Sequence, residues 1–215
     1  MIAANPGYRN HRFLLPLICL SAIGTTYVTN SILFEGGIIE QHLSLQYSAA
    51  AANRILSVSE QWIWLSYAVI PVIYCVRISY VCIALCCGIF LTNRSFRLKD
   101  VFLAAVIAEF VQLLQPLLKV LWFSFVTTSF TYDDLTHFSP FSLASLMERS
   151  ELNPALLYPL QLLNAFEAIY VVVLARQLRP LFEDKFLKAF SVSAISYSAA
   201  MLLWVSLVLF ITLDF

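Results

Sequence analysis

Five stretches of the sequence are long and apolar enough to cross a bilayer, at 13–34, 62–92, 101–126, 155–178 and 189–213, since a spanning helix needs about 20 residues. Five such runs in 215 residues leave little chain for anything else. The expected fold is therefore all-α, a single integral membrane domain over 1–215 built as a polytopic bundle of five transmembrane helices with short helices in its outer loops. Composition agrees, with 60% hydrophobic and 12% charged residues, where a soluble domain has roughly 45–50% and about 25%. Pro71, Pro116 and Pro159 lie in or near three of the runs, and the carbonyl each frees is tolerated in a membrane helix when neighbours re-satisfy it.

Charge placement orients the bundle, because loops left in the cytoplasm keep an excess of Lys and Arg. Arg9, Arg12, Arg94, Arg97, Lys99, Arg176, Arg179, Lys185 and Lys188 fall on one side, against Arg54 and Arg149 on the other. The amino terminus is expected in the cytoplasm and the carboxyl terminus outside, in the cytoplasmic (inner) membrane if the chain is bacterial. The first run also resembles a secretion signal, with Arg9, His11 and Arg12 before FLLPLICL and a small-x-small Ala22-Ile23-Gly24; a retained helix is expected. Trp62, Trp64 and Trp122 then approach the outer interface, where amphipathic rings collect. Ile39, Leu43, Tyr47, Ala51, Ile55 and Val58 recur at helical spacing and predict an outer-loop helix lying on the membrane or on the bundle. Ser139 as a cap with Pro140 in the first turn predicts a short helix near 140–149.

Polar residues inside the third and fourth runs form a ladder. At about 1.5 Å of rise per residue, Glu109 lies about 15 Å from Lys99 and Glu167 about 14 Å from Arg176. By the same count Gln112, at about 20 Å, meets Asn164, at about 18 Å, and Gln115 and Gln161 both reach about 23 Å. Arg77, in the second run, lies about 23 Å from Asn93, level with the two outer glutamines and within side-chain reach of the layer below them. An ionisable side chain at that depth is expensive unless paired or hydrated. Two facing carboxylates would share a proton, or Arg77 would pair with one of them. Three uses are open: interhelical hydrogen bonding worth about 0.6 kcal/mol per contact, a path for ions or substrate, or a face for a partner.

Other chemistry is sparse. No H-E-x-x-H, G-x-S-x-G or phosphate-cradling glycine loop occurs, so no enzymatic activity and no cofactor are expected. Asp133, Asp134 and His137 form the one weak metal candidate, with a solvated acidic loop as the alternative. Four of the five cysteines lie in the second run without a C-x-x-C pair, and Cys75, Ser79, Cys82 and Cys86 share one helical face, expected to pack against a neighbouring helix. Net charge is zero, which gives no argument for a nucleic-acid partner.

The segment SPFSLASLMERSELNPALLYPLQLLNAFEAIYVVVLARQL, residues 139–178, followed by one more apolar run, resembles the Yip1 family of five-helix membrane proteins in its bacterial branch, including a helix opening Leu163-Asn164-Ala165-Phe166. The resemblance implies a five-helix membrane protein without catalytic residues. Eukaryotic relatives are linked to small GTPases and vesicle traffic. The expected function is a non-enzymatic scaffold or accessory subunit that meets the lipid bilayer and other membrane proteins or its own copies; the alternative is a small transporter or channel component using the polar layer as a proton or ion relay.

Overall fold

The computed structural model describes residues 13–33, 37–127, 129–147 and 154–213. Arg9, His11, Arg12 and Arg149, which enter the charge and signal arguments above, lie outside the described residues. The described chain is helical. In order run α1 (Leu14–Leu33), α2 (Ile38–Gln46), α3 (Ala49–Leu91), α4 (Leu98–Glu109), α5 (Leu114–Phe125), α6 (Tyr132–Thr136), α7 (Pro154–Leu162), α8 (Ala165–Leu178) and α9 (Phe186–Leu213). One 3-10 stretch, Phe110–Leu113, joins α4 to α5, and another, Arg179–Phe182, follows α8. Pro116 cannot donate to the carbonyl four residues back, and the tightened turn sits where that ladder fails.

Four helices are long and apolar enough to cross a membrane: Leu14–Leu33, Ala49–Leu91, Leu98–Phe125 and Phe186–Ile211. The expected continuous helix over 155–178 is instead two pieces, α7 and α8, so a count of five is not reached by unbroken helices among the described residues. Asn164 supplies the reason: it leaves the helix in an extended conformation, and its side-chain oxygen accepts from the Glu167 backbone N–H at 3.0 Å. Asparagine caps a helix more readily than it continues one. A second departure is the length of α3. The residues expected as a separate outer helix form only α2 and then the start of a 43-residue rod, since nothing between Ala49 and Gln61 breaks it.

The main core joins α1, α3, α4, α8 and α9 through Ile18, Ile78, Leu85, Ala105, Tyr170, Leu174 and Ala189. Small residues on α9, with Ala189, Ser193, Ser196 and Ala200 all buried, form its inward face. The outward faces stay apolar, as Ile83 (64% exposed) and Leu203 (70%) illustrate; a helix oily all round belongs in hydrocarbon. The loops 92–97 and 179–185 meet at one end, where Arg94 contacts Glu183 at 2.7 Å. Hydrogen bonds from Arg94 and then from Lys185 hold the Glu183 carboxyl below the usual carboxylate range. We call this the basic end. At the opposite end Leu33, Val120, Phe123 and Leu135 make a smaller cluster under α6.

The loop before α7 also departs from expectation. Only a 3-10 turn, Leu143–Leu146, forms there, capped by Ser142 rather than Ser139, and residues 148–149 of the expected helix lie outside the described residues. The loop pairs instead with the break between α7 and α8. Leu143 N–H donates to the Leu163 carbonyl at 3.0 Å and Ala165 N–H donates to the Phe141 carbonyl at 3.1 Å, a single antiparallel bridge centred on Ser142 and Asn164. Phe141, at φ 59, makes the turn that permits it. Backbone groups freed inside an apolar bundle are thereby satisfied by protein, the condition under which irregular backbone survives at membrane depth.

Candidate functional site

Glu109 and Glu167 each lie eleven residues in from the basic end of their helices, Leu98 and Leu178. That is about 16 Å, about half the thickness of a hydrocarbon layer of roughly 30 Å. Arg77 of α3 reaches both: Nε stands 3.2 Å from Glu109 Oε1 and Nη2 stands 3.5 Å from Glu167 Oε1. The Tyr170 hydroxyl donates to Glu109 Oε1 at 2.8 Å, and the Tyr197 hydroxyl donates to Glu167 Oε2. The Arg77 guanidinium also sits 5.6 Å from the Tyr170 ring centre, within cation–π range, and the two tyrosine rings lie 5.0 Å apart. Five side chains thus tie together α3, α4, α8 and α9.

Local sequence positions each group. Glu167 and Tyr170 are three apart on α8 and share a face, while the capping by Asn164 starts that helix one turn before Glu167. The cluster is not balanced in charge. One guanidinium faces two carboxylates, Glu109 is fully buried, and its Oε2 has no hydrogen-bond partner. The Arg77 side chain remains 35% exposed on the protein surface.

The amide rungs of the ladder do not join. Among the described residues no hydrogen bond links Gln112 to Asn164 or Gln115 to Gln161. Asn164 spends both ends of its amide on its own chain, capping α8 and donating to the Gln161 carbonyl at 3.1 Å. Gln112 is buried with its Nε2 unpartnered, and Gln115 and Gln161 are half-buried. The depth count treated α7 and α8 as one helix, and the break removes the register of Gln161, while Asn164, at the cap of α8, is diverted to its own backbone.

The weak metal candidate does not assemble: among the described residues no group of three or more His, Cys, Asp and Glu could hold an ion. Asp134 instead completes a capping box with Thr131 at the start of α6. The cysteine face is only partly packed, with Cys82 buried, Cys86 half-buried and Cys75 and Ser79 exposed. Tyr170 and Tyr197 were not among the residues that the sequence singled out. The i, i+3 spacing of Glu167 and Tyr170 was available as a signal, whereas nothing local marks Tyr197.

The chain matches no family model, no curated protein and no solved structure.

Proposed function

We propose that this is a non-enzymatic membrane protein, a scaffold or accessory subunit whose bundle is locked by the Arg77–Glu109–Glu167 cluster, with its basic end in the cytoplasm. The observation that carries the reading is closure: three of the four carboxylate oxygens already have donors from other helices. A buried ion network of this kind fixes which faces meet. Membership of the Yip1 family is proposed on residues 139–178 alone. A specific observation favours the second reading, a proton or ion relay: the surplus carboxylate and the unpartnered Glu109 Oε2, since an ionisable side chain within a membrane bundle marks a functional site by default and relays are among its uses.

Replacing Glu109 or Glu167 by Gln separates the two. For a lock, either single variant folds with nearly parental yield, because one carboxylate still balances Arg77, while the double variant strands the guanidinium and loses folded protein. Parent protein in liposomes then passes no protons. A parent that conducts, together with a Glu109→Gln variant that folds and does not, would sink the lock as the function. Orientation has its own check. In a background without the five native cysteines, Arg97→Cys and Asp134→Cys should react with an impermeant maleimide from opposite sides of the membrane, and labelling from one side alone would overturn the threading.

A further inference from the structure

A groove of about 720 Å³ opens between the last turns of α3 and the first turns of α4. Its floor is made by small side chains, Ser79, Cys82, Cys86 and Cys87, and Phe102 forms part of the facing wall. Small residues in a membrane helix admit a close neighbour, yet among the described residues no helix fills the space. The size falls within the range of ligand sites, about 300–1,000 Å³. Among the described residues Lys99 is the one charged group of the lining. It is exposed, and no described residue forms an ion pair with it; Asp100, next in sequence, projects elsewhere because adjacent helical residues do not face one another.

We propose that this groove binds an anionic phospholipid, one acyl chain lying along the cysteine-lined floor and the headgroup phosphate held by Lys99. The apolar slot and the cation at its rim together describe an amphiphile with a negative head. Basic pockets between membrane helices on the cytoplasmic side hold such headgroups, and the groove sits at the basic end, beside the loops of Arg94 and Arg97. A partner helix could fill the slot, but it would leave Lys99 without a counter-charge.

The test uses full-length protein in a mild nonionic detergent, with retained lipid read by native mass spectrometry. Phosphatidylglycerol should be retained about fivefold over phosphatidylcholine of identical chains, the weight of one cation against an anionic head. Lys99→Gln should erase that preference while Lys99→Arg keeps it, and Lys119→Gln, on α5, should leave it unchanged. Cys87→Trp, which fills the slot from an exposed position, should lower retention of both lipids. Equal retention of the two lipids by the parent, or undiminished preference in Lys99→Gln, overturns the proposal. So does competition by glycerol phosphate as effective as that of the whole lipid, which would mean an anion site without a slot. A dimer that Cys87→Trp dissociates, with lipid retention unchanged, would assign the groove to a second copy of the chain instead.

Discussion

Arg77→Gln is expected to destabilise the folded protein by about 3–5 kcal/mol, the scale on which removing one partner from a buried charge network falls. The cost resides in what is left behind. Glu109 is fully buried and Glu167 nearly so, and without the guanidinium their only donors are the hydroxyls of Tyr170 and Tyr197. At roughly 2–4 °C per kcal/mol for a chain of this size, the melting temperature in detergent should fall by about 10 °C. The triple variant with Gln at 77, 109 and 167 should regain most of that loss, since amides can hydrogen-bond where unpaired carboxylates cannot stay. Arg77→Lys should lie between, keeping the charge but losing the fork that touches two acids at once. A stable Arg77→Gln protein, or a triple variant no better than it, would show that the cluster does not hold the helices together.

The site was partly legible in the sequence, and the boundary follows from physics. Depth along a helix is a local quantity, fixed by rise per residue once an end is known, so Glu109 and Glu167 could be set at one level from Lys99 and Arg176, and both do meet Arg77. Azimuth is not local. Which way Tyr197 faces depends on how α9 packs, and a tyrosine in an apolar run is equally suited to core, interface or network. The break at Asn164 was missed for a different reason. An amide inside a membrane helix reads as an interhelical donor, while the competing role, capping a new helix, is favourable only because the loop at Phe141 and Leu143 arrives to pair the freed backbone. That partner lies some twenty residues away, and no local pattern announces it. The long α3 was missed because the second run was bounded at 62 by its apolar composition and the spacing of Ile39 to Val58 was given to a separate outer helix, though polar residues do not end a helix that has no breaker.

Gly88 sets the second large effect, through space rather than charge. A Cβ there would stand 1.8 Å from Ser196 Oγ and 3.0 Å from Ser196 Cβ, so α3 and α9 touch at a point where only hydrogen fits. Gly88→Ala should cost about 1–3 kcal/mol from overpacking, in spite of about 1 kcal/mol that alanine normally gains in a helix. The hydroxyl can rotate away but the Ser196 Cβ cannot, so Ser196→Ala should restore little and Ser196→Gly most of the loss. Gly88→Leu exceeds any local adjustment: the helices must part, and the folded yield should collapse with either residue at 196. The consequence reaches the ion cluster, because Ser196 is followed by Tyr197, whose hydroxyl serves Glu167. A displacement of α9 from α3 that also draws Tyr197 away from Glu167 on α8 would take a donor from a buried carboxylate. The predicted signature is that Gly88→Ala loses less in a Glu167→Gln background, where the acceptor carries no charge to leave uncompensated, than in the parent. Equal losses in the two backgrounds, measured by melting in the same detergent, would mean that the close approach of α3 and α9 is independent of the buried acids.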